Sequence, residues 1–117
     1  MAQEVMNYSS REYEGSRVLD LTGNLTVNTI TAFTGMVNSI TDKESVMINM
    51  ENVGVITSAG LQALIEISFV AKEKDRRVVI LWPGDELMNL AEAMGVYHNL
   101  IFAQSLEEGC TKIRYFT

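Results

Sequence analysis

The sequence predicts a single α/β domain, a mixed and mostly parallel β-sheet in the order β-β-α-β-α-β-α-β-α with helices mainly on one face. Three observations carry this expectation. Segments of strand character alternate with segments of helical spacing along nearly the whole chain, which implies crossovers and parallel pairing. A polar, weakly alternating stretch at residues 5–13 followed by turn residues adds an antiparallel hairpin at the start. The 117 residues are enough to bury about two thirds of the unfolded surface in one core, but not in two. No linker, low-complexity tract or fixed-period repeat interrupts them, so one domain over residues 1–117 is expected.

In chain order, Glu14-Gly15-Ser16 supplies the hairpin turn before Arg17-Val18-Leu19-Asp20-Leu21-Thr22, and Gly23-Asn24-Leu25 closes the hairpin. Thr26 is placed to cap a helix whose Val27, Ile30, Phe33, Val37 and Ile40 recur at helical spacing. Thr26, Thr29, Thr31 and Thr34 lower its intrinsic propensity, so packing must hold it. Ser45-Val46-Met47-Ile48-Asn49-Met50 reads as a buried central strand ending in a turn around Asn52 and Gly54. Residues 58–74 contain no proline and one glycine near the start, and are long enough for a helix of about four turns. Val78-Val79-Ile80-Leu81-Trp82, bounded by Pro83-Gly84, has the continuous apolar character of a strand covered on both faces. Asp85 and Glu86 open a helix with Leu87, Leu90, Ala91 and Met94 on one face, and Gly95 stands where a left-handed cap belongs. Leu100-Ile101-Phe102 is a last short strand. Ser105 and Glu108 form a capping box for a final helix with Leu106 and Ile113 inward.

Composition removes several classes of function. Nine basic against fifteen acidic side chains, a net charge of −6, disfavour nonspecific affinity for nucleic-acid phosphates. The one dense basic stretch, residues 72–77, carries Glu73 and Asp75 among its cations and reads as the solvated end of a helix. The longest apolar runs fall far short of the ~20 residues that cross a bilayer, so no membrane association is expected. The opening Met1-Ala2-Gln3-Glu4 lacks the basic and apolar regions of a secretion signal, and the lone Cys110 has no partner for an internal disulfide. Both point to the cytoplasm.

Catalytic chemistry finds few candidates. His98 and Cys110 are the only histidine and cysteine, too few for a zinc site. His98 sits in a loop with no acidic orienter nearby in sequence. Neither a dinucleotide-binding nor a P-loop glycine pattern occurs. Gly54-Val55-Ile56-Thr57-Ser58-Ala59-Gly60 has the wrong spacing for a hydrolase nucleophile elbow. No catalytic residue, cofactor or metal is therefore expected. What remains is Thr57-Ser58-Ala59-Gly60-Leu61, a hydroxyl-rich turn ahead of the longest helix. It can be read as a simple N-cap. It can also be read as a phosphate acceptor, because a phosphate there would bring about −1.5 to −2 charge to the positive end of a helix dipole. Along that helix Leu61, Leu64, Ile67 and Ala71 face inward and Gln62, Glu66 and Glu73 form a polar stripe, flanked by Ala59, Ala63 and Val70 on one side and Phe69 on the other. The apolar arc is wider than a one-sided helix needs, and is covered either by more of the sheet or by another protein.

These residues resemble the STAS domain family, and within it the free-standing anti-sigma factor antagonists of bacteria. The landmarks are Leu21-Thr22-Gly23-Asn24-Leu25, Ile48-Asn49-Met50-Glu51-Asn52-Val53 leading into Ile56-Thr57-Ser58-Ala59-Gly60-Leu61, and Ala93-Met94-Gly95-Val96 before Ile101-Phe102. In the family the middle turn is usually Asp-Ser-Ser/Thr/Ala-Gly-Leu, and its first serine is phosphorylated. The resemblance implies a non-enzymatic switch. Unphosphorylated at Ser58, the protein binds an anti-sigma factor serine kinase and frees a sigma factor. Phosphorylated, it lets go, and a serine phosphatase resets it. The implied partner rim is Asn24, Leu25, Thr26, Thr57, Ala59, Gly60, Gln62 and Ala63. Thr57 and Thr26 stand where the family usually has aspartate, which removes negative charge beside Ser58. The alternatives are a small-ligand or nucleotide sensor with its pocket near the same turn, a partner switch with another output, and a constitutive scaffold in which Ser58 is only a cap.

Overall fold

The computed structural model describes residues 5–115. The chain runs β1 (Asn7–Tyr13), β2 (Ser16–Leu25), α1 (Ile30–Thr41), β3 (Val46–Ile56), α2 (Ser58–Glu73), β4 (Val78–Leu81), α3 (Asp85–Ala93), a single 3-10 turn (Tyr97–Asn99), β5 (Ile101–Ala103) and α4 (Leu106–Tyr115). The sheet order is β1-β2-β3-β4-β5, with β1 antiparallel to β2 and every other neighbouring pair parallel. The hairpin turn is Glu14 and Gly15, both at positive φ (48° and 82°), the geometry whose twist matches the flanking strands.

Two apolar layers sandwich the sheet. Leu19, Leu21, Val46, Ile48, Val78 and Ile80 face α1, α2 and α3, which contribute Phe33, Val37, Leu61, Leu64, Ile67, Leu87 and Ala91. The other face carries a smaller cluster, Val18, Met47, Val79 and Leu81, closed by Cys110 of α4 with Leu106 and Ile113 at its edge. This is why β4 is buried at all four positions and β3 at its first five. The inward row of α2 is as its spacing predicts, with Leu61, Leu64, Ile67 and Ala71 fully buried.

Three local expectations are corrected. The turn expected around Asn52 and Gly54 is instead a continuation of β3, which stays paired with β2 as far as Leu25 and Ile56 through two register shifts. The shifts let a strand with exposed, non-alternating residues keep its ladder. The first helix begins at Ile30 rather than after Thr26. Thr29 and Ile30 donate their backbone N–H groups to Thr26 O (3.0 and 3.1 Å), and Thr29 Oγ1 accepts from Thr26 N (3.0 Å) and donates to Asn24 O (2.8 Å). These local bonds hold residues 26–29 as a turn and leave Val27 70% exposed rather than in the core row. In the last helix Ser105 Oγ accepts from Glu108 N (3.0 Å), but Glu108 Oε1 accepts from Gln104 N (3.3 Å) rather than closing the box on Ser105. Gly95 does adopt the left-handed conformation (φ 69°), with its N–H on Glu92 O and that of Val96 on Ala91 O.

On the α4 side of the sheet Arg11 grips Asp20 (Nε to Oδ2, 2.7 Å), and Asn49 Nδ2 donates to Asp20 Oδ1 (2.7 Å). The guanidinium of Arg11, helped by Asn49 and opposed by partial burial, holds the Asp20 carboxyl below its ordinary value of 3.8. A carboxyl with a lowered folded value stabilises the fold above its ordinary value, and loses that contribution as pH falls through the folded value. Asp20→Asn should therefore be less stable than the parent protein at neutral pH, and the gap should close on acidification below 3.8. Urea denaturation of both proteins at neutral pH and near pH ~3 checks this.

Candidate functional site

The Thr57-Ser58-Ala59-Gly60 turn lies at the carboxyl ends of β2 and β3, where both strands run past the rest of the sheet. Ile56 ends β3, and Thr57 turns the chain into α2 with extended backbone (φ −99°, ψ 173°). Its Oγ1 accepts from Gly60 N at 3.3 Å, so Thr57 is the cap of this helix. Ser58 is the first helical residue and is exposed. The reading in which Ser58 serves only as a cap is thereby corrected, since the capping bond belongs to its neighbour.

That separation of roles is measurable. Thr57→Ala should cost about 1 kcal/mol of stability through loss of the cap. Ser58→Ala should change stability by less than about 0.5 kcal/mol, as expected of an exposed position without a structural bond. Chemical denaturation of the two variants distinguishes them, and a larger loss for Ser58→Ala would reverse the assignment.

The turn after β2 is docked against the start of α2. Thr57 N donates to Leu25 O at 3.2 Å, and Asn24 Oδ1 accepts from Val55 N at 2.9 Å. Gly60 lies so close beneath that a Cβ there would stand 2.3 Å from Leu25 O. The structure thus brings the segments of the expected rim together, but divides their roles. Leu25 and Gly60 are buried within the chain, under the helix start and against the core, while Ala63 is buried but for an edge facing a groove between α1 and α2. Asn24, Thr26, Thr57 and Ala59 are partly exposed, and Gln62 is exposed. Ala59, Gln62, Ala63 and Glu66 line one wall of this shallow groove, with Ile30, Thr31 and Thr34 of α1 on the other.

Two apolar residues join the rim that the sequence did not mark. Val27, 70% exposed, sits in the turn beside Thr26, and Val55, 45% exposed, comes three residues before Ser58. Val27 fits the helical row by spacing alone, and only the threonine-bonded turn reveals that it leaves that row. The rim is uncharged apart from Glu66 at the far end of the groove. The first turn of α2 has no acidic side chain, so nothing in it offsets the positive end of the helix dipole.

The profile of the STAS domain matches residues 7–109. The chain belongs to the STAS domain family. Among curated proteins, no relative matches by sequence. Solved structures share the fold of this STAS domain at low identity. An anti-sigma factor antagonist from Mycobacterium paratuberculosis superposes with a TM-score of 0.77 at 16% identity over 97% of each chain. The Bacillus cell fate determinant SpoIIAA in its phosphorylated form gives 0.66 at 14% identity, over 92% of this chain and all of the other (100%). The murine solute carrier 26 family member A9 anion transporter gives 0.79 at 13% identity, over 96% of this chain but 23% of the transporter.

Among the described residues of this STAS domain, no group of three or more histidine, cysteine or acidic side chains could hold a metal ion, and no helix is long and apolar enough to cross a membrane. The cleft nearest to the carboxyl ends of β3 and β4 is small, about 80 Å³, and its lining includes Glu51 and Glu86. Such a site repels phosphate and lacks room for a nucleotide.

Proposed function

We propose that this STAS domain is a phosphorylation-gated anti-sigma factor antagonist. With Ser58 unmodified, the rim of Asn24, Val27, Thr26, Val55, Thr57, Ala59 and Gln62 docks on an anti-sigma factor serine kinase, which releases its sigma factor. The kinase transfers the γ-phosphoryl of ATP to Ser58 Oγ, and a serine phosphatase returns the hydroxyl. The domain itself carries no catalytic machinery in this scheme, and works in the cytoplasm where those partners reside.

The observation that carries the reading is the exposed Ser58 hydroxyl at the first position of α2, freed from capping by Thr57. A phosphate at this position is tolerated by the fold, because it meets the positive end of the helix dipole and no acidic side chain in the first turn. The same phosphate is poorly tolerated by a partner, because it places a hydrated dianion among small uncharged and apolar contacts. Two of the structural neighbours are anti-sigma factor antagonists by description or phosphorylated in their solved form, which agrees with the scheme.

Threonine at positions 26 and 57 makes the rim of this chain less acidic than the family pattern. The partner surface should accordingly be less basic, which favours a dedicated kinase over a shared one. Capture from the native cell with Ser58→Ala and Ser58→Asp baits tests the scheme. The alanine bait should retain a kinase-fold protein that the aspartate bait loses, and identical partners on both baits would contradict the switch. A captured kinase with no sigma factor among its own partners would mean the same switch with a different output.

A further inference from the structure

At the opposite end of the sheet from Ser58, a cleft of about 260 Å³ opens between the second half of α2 and the segment entering β5. Phe69, Leu100 and Ile101 supply apolar lining, and Lys72, Arg76 and His98 supply cationic or imidazole groups. No carboxylate lines it, in a chain whose net charge is −6. This is a consequence of how α2 ends. Asp75 takes the left-handed conformation (φ 62°), its N–H bonds Lys72 O at 3.0 Å, and Arg76 N bonds Ala71 O at 2.8 Å. That reversal sorts a sequence of mixed charges by space. Lys72, Arg76 and Arg77 gather at the cleft, while the interleaved Glu73 and Asp75 stay outside it in solvent.

Two residues that line the cleft carry groups without a partner among the described residues. Arg76 Nε is buried with no hydrogen-bond partner among the described residues. Buried donors in folded proteins nearly always have one, from protein, water or ligand. Phe69 leaves 62% of its surface in solvent beside this charge, among the described residues. A forked guanidinium suits an oxyanion, and four cation-capable side chains around one small cavity, Lys72, Arg76, Arg77 and His98, suit a dianion better than a carboxylate. The apolar lining, adjacent to that charge, suits an organic body attached to it.

We propose that this basal cleft binds a small organic phosphate monoester, its phosphate held by Arg76, Lys72 and His98 and its aryl or alkyl body lying on Phe69, Leu100 and Ile101. The site is independent of the Ser58 switch and lies at the other end of α2.

Isothermal titration of the full chain with phenyl phosphate, and separately with inorganic phosphate, benzoate and phenol, tests it. Phenyl phosphate should bind saturably with one site per chain, at least about tenfold tighter than each of the other three. Arg76→Gln and Phe69→Ala should each weaken it about tenfold or more, and Ser58→Ala should leave it unchanged. Lys72→Met, at an exposed position, gives the same reading should Arg76→Gln fail to fold. Absence of saturable binding, or equal affinity for inorganic phosphate, would overturn the site. Equal affinity for benzoate would overturn its assignment to phosphate, and binding unaltered by the Arg76 and Lys72 substitutions would overturn its location.

Discussion

Gly60→Ala should destabilise the protein by about 2 kcal/mol, even though alanine is the better helix former by about 1 kcal/mol. An added Cβ would lie 2.3 Å from Leu25 O and 3.1 Å from both Leu25 C and Ile56 Cγ1. Backbone, unlike a flexible side-chain end, cannot swing away from such an overlap. Leu25 O is also fixed by the N–H of Thr57 at 3.2 Å, and Leu25 itself is fully buried. Relief requires that the start of α2 lift from the turn after β2, which breaks the Thr57 bond and opens the core beneath. A loss of this size corresponds to a fall in Tm of roughly 8 °C for a domain near this length. Gly60→Val should be worse, since it adds β-branched bulk to the same overlap. A thermal melt of Gly60→Ala that matched the parent protein would mean that the rim is not built on this close approach.

Phosphate on Ser58 should weaken binding to the partner kinase by at least about 30-fold, the effect of placing an unpaired charge in a desolvated contact at about 2 kcal/mol or more. Fold stability should barely change, because the helix dipole at the start of α2 favours the added charge. Net charge would move from −6 to about −8, all of it at one helix end. Ser58→Asp, with a single charge on a shorter side chain, should show a smaller effect of the same sign. Thr57→Asp should keep the cap, since aspartate caps at least as well as threonine, while bringing one negative charge to the rim beside an unaltered Ser58. Comparison of the two aspartate variants by titration with the purified partner separates charge at the rim from modification of the acceptor itself. If both left affinity unchanged, docking would not involve this surface.

The layers of the fold were legible because their signals are short-range and redundant. Apolar runs at Val46 to Ile48 and Val78 to Leu81 mark strands covered on both faces, and the inward row of α2 repeats at helical spacing. What could not be read depended on tertiary bonds. Val27 fits a helical row, yet the side-chain bonds of Thr29 to Thr26 N and Asn24 O stop the helix short of it. Asn52 and Gly54 are turn formers by type, but pairing with Thr22 to Leu25 keeps the strand going to Ile56. At the candidate site, the position of the Thr57-Ser58 turn ahead of α2 is legible from residue type, whereas the burial of Leu25, Gly60 and Ala63 follows from the docking of the turn after β2 on α2 and from α1 packing alongside. Charges at residues 72–77 alternate in sign along the chain and look evenly solvated. Only the left-handed Asp75 shows that Lys72, Arg76 and Arg77 share a cleft.

The central claim is that Ser58 is a phosphate acceptor, and the most direct measurement is site-resolved mass spectrometry of the full chain after incubation with ATP and the kinase captured by the Ser58→Ala bait. A single added phosphate should be located on Ser58, absent from Ser58→Ala and present in Thr57→Ala. A phosphate located on Thr57 or at any other residue, or full phosphorylation of the Ser58→Ala chain, would contradict it.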